Sequence, residues 1–503
     1  MPQQGEAIHE GSQFRKILAH APWYLGSSLL SKALGFFLLP VYTRYLSPSD
    51  YGILATLQSF GMLASIALSL YMDTAFIRFY YKARTVSESA VRRLYSTYFW
   101  FIICWGSVSS LILILLAPML MEELLGISLL PLVLVITTQL LSQLTAMVLG
   151  MWRAELQAKK VAVITLGNTA IVATITLLLL IHYEFGWMSQ IYAALFGIGL
   201  QSLLLIFIAI KSGWISFEFD KDILYQGLIF AIPLIPNIAA GWIAGYSDRL
   251  ILSYYGKLDE VGLYSIAYQF AYILYIFNDS VTQVQGPISM SGLTSDRERA
   301  RKQIVEFVSV YTWIMAVLYL GMALFSREVI EWFLDPRYVE SYKVIAILAS
   351  LYAISGLYRV FSTVISFHKK TWIISTAAIF QALVNIVLNF IFIPMFGMYA
   401  AAFSSLFSLF AYLGWIVYRS QKLEPVKLPW RAVSTTAAGV VIVLAVWYWL
   451  DHANWTPMML VYKFSLLVGF VIITLSLESL RQVRDLLTKF LLKLLGRETL
   501  KDA

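Results

Sequence analysis

Charged residues are scarce in this chain of 503 residues: they make up 13% of it, whereas hydrophobic residues make up 59%. A soluble domain carries roughly 25% charged residues, so a water-exposed surface of ordinary size could not be covered here. The composition excludes a water-soluble fold. It places the chain among integral membrane proteins.

Side chains that bind metals or form disulfides are few as well. Cys104 is the single cysteine, which excludes a disulfide or a cysteine-based metal site within one chain, and its apolar neighbours predict an inert buried or lipid-facing thiol. The five histidines are scattered, so we expect no metal site. The sequence contains no glycine-rich phosphate motif followed by Lys-Ser or Lys-Thr, so we expect neither an ATP-hydrolysing domain nor a cofactor.

Long apolar stretches take up most of the chain, and each is long enough to cross a bilayer core as a helix of about 20 residues. The first carries Lys32 and runs on without a small-residue cleavage site, so a removable signal peptide is not expected. We predict an all-α polytopic membrane protein with fourteen spans, at 17–40, 51–77, 94–118, 127–152, 161–181, 190–211, 224–252, 261–286, 304–326, 341–366, 371–393, 398–418, 432–450 and 458–480.

The loops between these stretches alternate between basic and basic-poor. Most of the 37 basic residues fall in alternate loops, and the most basic of these lie near 82–93, 297–302 and 422–431. Lysine and arginine accumulate on the cytoplasmic side of a membrane, so both termini are predicted to be cytoplasmic. This topology also accounts for the net charge of +8, which is therefore no sign of nucleic-acid binding.

An internal repeat links the first and seventh spans. Asp50 and Gly52 follow span one, and Glu260 and Gly262 follow span seven, each pair displaced by 210 residues. Six spans separate the copies, an even number, so the repeats insert in the same orientation. Parallel repeats of this kind build the two lobes of some transporters, with a central site at their interface.

The residues at the two repeat junctions carry a family resemblance. The segment from Leu39 to Gly52, and Ser247 to Leu252 followed by Val261 to Ser265, resemble the polysaccharide-biosynthesis branch of the multidrug/oligosaccharidyl-lipid/polysaccharide exporter superfamily. This branch contains the oligosaccharide flippases, including the O-antigen flippases. The likeness runs from about residue 15 to residue 420.

The resemblance implies two six-helix lobes, a central cavity lined chiefly by spans one, two, seven and eight, and alternating access. The implied substrate is an undecaprenyl-pyrophosphate-linked oligosaccharide, moved from the cytoplasmic to the periplasmic leaflet of the bacterial inner membrane. A monomer is expected, with membrane lipids and the polymerase and glycosyltransferases of the pathway as partners. The predicted organisation is a cytoplasmic segment 1–16, an N-lobe 17–220, a C-lobe 221–420, two extra spans in 421–480 and a cytoplasmic amphipathic tail 481–503.

Basic residues within the spans are the candidate ligands for a diphosphate. A charge at the bilayer centre is costly, so those retained there usually face a wet cavity or a partner. Lys32 and Arg359 lie on polar helical faces, and each is either a substrate ligand or an ion-pair partner. Arg78 is placed to reach lipid headgroups and Arg249 to form a structural pair with Asp248, although both are candidate ligands too.

Aromatic and acidic side chains complete the predicted site. Tyr268 and Tyr272 share a face of span eight and could meet sugar rings. Asp73, Asp279 and Asp248 are either counter-ions for the basic residues or binders of a coupling proton or Na⁺. Without an ATPase, transport would draw on such a gradient, on the membrane potential or on consumption of the product.

Three alternatives to an oligosaccharide flippase remain. A cation-coupled multidrug exporter of the same superfamily would be expected to present acidic residues within its spans. Asp73 and Asp279 are such residues, so this alternative remains. Lipid II is an alternative substrate, because peptidoglycan-precursor flippases share the superfamily. A membrane-embedded glycosyltransferase or polymerase acting on the same lipid carrier would need catalytic carboxylates in a sizeable loop, and the longest predicted outer loop, 327–340, is short.

After the last span, apolar residues recur at helical spacing with charged residues between them. This pattern predicts an amphipathic helix lying on the anionic cytoplasmic leaflet. Its apolar positions are Val483, Leu486, Leu487, Phe490, Leu491 and Leu494.

Overall fold

The computed structural model describes residues 22–23, 26–117, 126–451 and 458–494. These residues form helices joined by short turns, and no β-strand occurs among them. The predicted all-α membrane fold is therefore confirmed. The predicted cytoplasmic segment 1–16 and residues 495–503 of the predicted tail lie outside the described part of the chain, as does most of the loop between predicted spans three and four.

The helices of the first half are α1 (26–37), α2 (Leu39–Tyr45), α3 (Pro48–Ser69), α4 (Met72–Val86), α5 (Glu88–Ala117), α6 (Leu129–Ala154), α7 (Ala158–Leu177), α8 (Met188–Lys211), α9 (Lys221–Ala231) and α10 (Ile235–Tyr254). A π-helical turn, Leu178–His182, extends α7. The second half contains α11 (Leu258–Ser295), α12 (Arg297–Phe333), α13 (Tyr342–Phe367), α14 (Trp372–Leu423), α15 (Trp430–Asp451), α16 (Met458–Ser476) and α17 (Arg481–Leu494).

Eleven helices in the described part of the chain are long and apolar enough to cross a membrane. Three features account for the difference between these eleven helices and the fourteen predicted spans. The first predicted span lies partly outside the described residues, α11 is not among the eleven, and α14 is counted once. The exact number of fourteen therefore stays a prediction.

Helix α14 is a hairpin of two arms. Gly397 interrupts it with a non-helical backbone, at φ 54° and ψ −132°, three residues after Pro394. Asn385 donates a hydrogen bond of 3.2 Å to the hydroxyl of Ser405, 20 residues away. In a straight helix those residues would be about 30 Å apart, so the chain folds back on itself here. The arms correspond to the predicted spans 371–393 and 398–418.

Two predicted spans are interrupted within the stretch that the sequence assigned to a single helix. The predicted span 51–77 ends as an apolar helix at Ser69, because Leu70 and Tyr71 adopt left-handed conformations with φ of 47° and 60°. Span seven is interrupted by a 3₁₀ turn at Ile232–Leu234. Pro233 lies in this turn and lacks the amide proton that a continuous helix would use there.

The chain divides into two compact units, Met1–Gly262 and Leu263–Ala503. In the first unit, Phe76, Tyr95, Tyr98 and Met147 are fully buried where α4, α5 and α6 pack together. In the second unit, Leu320 lies in a core that α12 shares with α15 and α16. The predicted N-lobe, C-lobe and terminal segments stay predictions.

The amphipathic helix α17 packs in part against the second unit. Val483 is fully buried beside Trp313 of α12 and Ala432 of α15, whereas Leu486 is exposed. The apolar side of α17 therefore has a protein partner along at least part of its length. Its predicted contact with the anionic leaflet stays a prediction.

Candidate functional site

Arg359 and Asp279 form the central ion pair of the second unit. Arg359 lies in the second half of α13 and Asp279 on α11, and Nη1 of the arginine is 2.5 Å from Oδ1 of the aspartate. Both side chains keep 29% of their surface exposed. The same guanidinium also donates to the hydroxyls of Tyr275 at 3.1 Å and Thr282 at 3.3 Å. The sequence predicted both charged residues, and the structure brings them together.

A cluster of tyrosines lies beside this ion pair. Tyr272 and Tyr275 stack with ring centroids 4.8 Å apart and planes inclined by 24°. Tyr352 of α13 meets both rings edge-on, at 5.9 Å and 5.5 Å, and Tyr268 at 5.8 Å. These four partly exposed rings and the Arg359–Asp279 pair are called the Arg359 site below.

A buried polar network holds the three helices of the Arg359 site together. Asn278 donates to Ser355 at 2.7 Å, and the hydroxyl of Tyr311 on α12 donates to Asn278 at 3.1 Å. The amide of Gly356 donates to the same hydroxyl at 3.0 Å. A Cβ added at Gly356 would lie 2.1 Å from that oxygen, so only glycine allows this approach. The network fixes the register of α13, and with it the position of Arg359.

The chemistry of the Arg359 site suits an anionic, hydroxyl-rich ligand. Guanidinium donors match the geometry of phosphate oxygens and can bind two at once. Tyrosine offers both an apolar ring face and a hydroxyl, the combination that a sugar ring requires. Because Asp279 already neutralises Arg359, an incoming anion would exchange with a carboxylate and would not meet an unbalanced charge.

The remaining predicted basic residues lie in the first unit. Lys32 is exposed on α1. Arg78 is exposed on α4, and its guanidinium lies 4.3 Å from the centre of the Phe230 ring of α9, a cation–π contact. The central cavity implied by the family resemblance, and the roles of Lys32, Arg249 and Arg359 as substrate ligands, stay predictions.

Asp248 and Arg249 are buried near the end of α10. Their exposed fractions are 0% and 7%, and Arg249 donates to the carbonyl of Gly245 at 2.9 Å. The structural pair predicted for these two residues stays a prediction. Asp73 is partly buried in the first turn of α4, within the electrostatic influence of Arg153.

Sequence reasoning missed two tyrosines of the Arg359 site and the polar network that holds its helices together. Tyr275 carries a usable signal, because it is three residues after Tyr272 and four before Asp279 on the same helical face. Tyr352, Asn278 and Tyr311 carry none, because their roles depend on which helices pack against each other.

Comparison with known proteins identifies the family. A family profile described as polysaccharide biosynthesis protein matches residues 41–343, more than half of the chain. The chain belongs to this family. The resemblance seen at the repeat junctions is thereby confirmed, and the chain is a membrane protein of polysaccharide biosynthesis.

Two curated proteins are similar to this chain at low sequence identity. A protein of the Lsg locus of Haemophilus influenzae is 22% identical over 385 residues, covering 74% of this chain and 90% of the relative. A membrane protein of Methanocaldococcus jannaschii is 28% identical over 216 residues, covering 41% of this chain and 42% of the relative.

Solved structures show the same fold. The lipid II flippase MurJ, in an inward closed conformation, superposes with a TM-score of 0.70 at 17% identity, covering 92% of this chain and 99% of MurJ. An inward-facing multidrug resistance transporter of the MATE family and MOP superfamily superposes with a TM-score of 0.66 at 11% identity, covering 79% of this chain and 96% of the transporter. At these identities the likeness establishes the fold, which is that of a membrane transporter.

Proposed function

We propose that this protein is a flippase that moves an undecaprenyl-pyrophosphate-linked oligosaccharide, the repeat unit of a surface polysaccharide, from the cytoplasmic to the periplasmic leaflet by alternating access. The observation that carries the proposal is the Arg359 site, a partly exposed arginine–aspartate pair against a group of tyrosines. Membership of the polysaccharide biosynthesis family supports the glycan class.

In this proposal the diphosphate of the substrate replaces Asp279 as the partner of Arg359. The first sugars then lie against Tyr272 and Tyr275, with Tyr268 and Tyr352 beside them. When the substrate leaves, Asp279 returns to the guanidinium, so Arg359 is paired in both states. An unpaired charge within a membrane protein is costly, and this exchange avoids one.

The Arg359 site favours a flippase over a cation-coupled multidrug exporter. An exporter of that kind would use an acidic residue as its cation ligand, and Asp279 accepts from both Arg359 and Gln283, at 2.5 Å and 2.6 Å. A carboxylate held by a guanidinium is a poor ligand for a second cation. Lipid II is the second candidate substrate, because MurJ shares the fold over 92% of this chain.

The decisive experiment is export of surface glycan in a deletion strain complemented with variants. Arg359→Ala should reduce export at least tenfold while the protein is still inserted, and Arg359→Lys should retain part of it. Arg337→Ala is the matched control, because Arg337 pairs with Asp335 outside the Arg359 site. Wild-type export by Arg359→Ala would overturn the proposed site.

Lys32 is the corresponding test in the first unit. Lys32→Ala should lower export and Lys32→Arg should preserve more of it, because charge matters more than shape for phosphate binding. Arg78→Ala should have little effect, since Arg78 lies on the Phe230 ring. If the wild-type protein rescues a strain depleted of its lipid II flippase, and does not restore surface glycan, lipid II replaces the oligosaccharide as substrate.

The proposed setting is the bacterial cytoplasmic membrane, with both termini in the cytoplasm and the chain acting as a monomer. Energy would come from an H⁺ or Na⁺ gradient, the membrane potential or consumption of the product. The polymerase and glycosyltransferases of the same pathway are the proposed partners.

A further inference from the structure

A cavity opens on the first unit where α6 ends and α7 begins. It measures about 730 Å³, and its floor is apolar, formed by Val163 and Ile164 of α7 and Ile208 of α8. Two tryptophans and two consecutive lysines also line it: Trp23, Trp152, Lys159 and Lys160. We call this cavity the α6–α7 groove.

The two lysines place positive charge in the same cavity as the apolar floor. The ammonium of Lys159 lies 5.8 Å from the ring centre of Trp23, and that of Lys160 lies 5.6 Å from the ring centre of Trp152. Both side chains are exposed, and neither forms an ion pair with an acidic residue in the part of the chain that the structure describes. They also lie in the first turn of α7, where the helix dipole disfavours further positive charge. An anion held between them would stabilise this arrangement.

We propose that the α6–α7 groove binds an anionic phospholipid, with its phosphate between Lys159 and Lys160 and an acyl chain along the apolar floor. Basic pockets between membrane helices are suited to anionic headgroups. Tryptophans near helix ends mark the depth of the headgroup region. A soluble phosphate would satisfy the two lysines but would leave Val163, Ile164 and Ile208 uncovered, so the groove favours the lipid.

The internal repeat supplies a matched control. Lys369 and Lys370 follow Lys159 and Lys160 by 210 residues, at the corresponding sequence position of the second repeat, just before α14. They are equally exposed, and they do not line the α6–α7 groove. Removing either pair changes the net charge by the same amount, so a general attraction to anionic lipid would respond equally to both.

The test measures lipid bound to the purified full chain by native mass spectrometry, in detergent with dioleoyl-phosphatidylglycerol or dioleoyl-phosphatidylcholine. The wild-type protein should retain the anionic lipid preferentially. Lys159→Gln with Lys160→Gln should reduce that retention roughly thirtyfold, since each lysine near an anionic surface contributes about 1 kcal/mol and the variant loses two. The arginine double variant at the same positions should keep it, as should Lys369→Gln with Lys370→Gln.

Three results would overturn the proposal. Equal losses from the two glutamine double variants would show general electrostatic attraction. Unchanged retention by the variant at 159 and 160 would place the lipid elsewhere. The third result has two parts: millimolar inorganic phosphate displaces the lipid, and Val163→Trp leaves lipid retention unchanged. Together they would show that the lysines bind a soluble anion. Loss of bound lipid in Val163→Trp, whose side chain would fill the apolar floor, supports the groove.

Discussion

Gly52 and Gly262 each lie against a backbone carbonyl oxygen at the start of the helix that contains the other glycine. A Cβ added to Gly52 would lie 2.0 Å from the oxygen of Leu258, and one added to Gly262 would lie 1.9 Å from the oxygen of Pro48. Leu258 follows Pro48 by 210 residues, as Gly262 follows Gly52. The two repeat junctions therefore touch reciprocally, as identical patches do across a two-fold axis.

The first prediction concerns this reciprocal contact. Gly52→Ala or Gly262→Ala should lower the melting temperature of the purified protein, because the new methyl group would overlap a backbone carbonyl and displace it. Overpacking of this kind costs about 1–3 kcal/mol. The two variants should behave alike because their surroundings are related by the repeat.

Gly245→Ala is the control for the glycine variants. A Cβ at Gly245 would meet no atom within 4 Å, and the residue lies within α10. Alanine has a higher helix propensity than glycine, so this variant should be neutral or slightly stabilising. A fall in melting temperature as large as that of Gly52→Ala would mean that the close contact is not the cause.

The second prediction concerns a buried ion pair that joins the last span to α12. Lys463 Nζ lies 2.5 Å from Glu328 Oε1, each side chain is 1% exposed, and the lysine also lies 4.2 Å from the Trp447 ring centre. Removing one partner of a buried pair leaves an uncompensated charge and costs about 3–5 kcal/mol. Lys463→Met alone should therefore lower the melting temperature strongly.

Replacing both partners tests whether the charge itself is needed. Lys463→Met with Glu328→Leu should recover most of the lost stability, because an apolar pair of similar volume leaves no buried charge. Lys343→Met is the control for a single lysine change, since its partner Glu340 is half-exposed and such pairs contribute about 0–1 kcal/mol. A double variant less stable than Lys463→Met would contradict this account.

The sequence was sufficient to predict the membrane class and to show the repeat, and it marked Arg359 and Asp279 as candidate site residues without pairing them. Arg359 and Asp279 stood out because charge in an apolar helix is costly, and helical periodicity placed Tyr268 and Tyr272 on the face that Asp279 shares. Those arguments need only one helix at a time.

Features that depend on contacts between helices escaped prediction. Glu328 was assigned to an outer loop, but α12 continues to Phe333 and buries it. Its partner Lys463 lies in a stretch that averages as strongly apolar, and a single lysine does not alter such an average. No proline or glycine lies at Leu70 and Tyr71, so the sequence gives no signal that the helix breaks there.

The third prediction concerns pH and the buried carboxylate of Glu424, just after α14. Burial of the Glu424 carboxyl raises its pKa, whereas hydrogen bonds from Arg301 and His368 lower it. The hydrogen bonds have the larger combined effect, so the pKa of Glu424 lies below the ordinary glutamate value. Arg301 Nε donates at 2.7 Å to Oε1, and His368 Nε2 lies 3.3 Å from Oε2. The stability from these contacts is complete above the ordinary glutamate pKa and is lost as pH falls through the lowered one.

Glu424→Gln should therefore destabilise the protein at pH 7 by about 1–3 kcal/mol, because the charged acceptor is lost. Its difference in melting temperature from the wild type should shrink as the pH is lowered past the ordinary glutamate range. Glu218→Gln is the control, because Glu218 is 54% exposed and pairs with Arg93 at 3.3 Å in the first unit. A pH-independent difference would contradict the role of the Glu424 charge.

The fourth prediction is the orientation of the chain. Cys104 is the single cysteine and is exposed, so Cys104→Ser gives a background without thiols in which single cysteines can be introduced. Cysteines replacing Thr85, Glu298 or Lys427, all exposed in the most basic loops or beside them, should react with a membrane-impermeant maleimide only after the membrane is opened.

A cysteine replacing His182 should react in intact cells, because it lies between predicted spans five and six on the opposite side. The orientation follows from the higher cost of moving lysine and arginine across the membrane, so all three basic positions must behave alike. If any one of these three cysteines were labelled in intact cells, the predicted orientation of the adjoining helices would be wrong. It would also place the entrance to the proposed route for the lipid-linked glycan on the other side of the membrane.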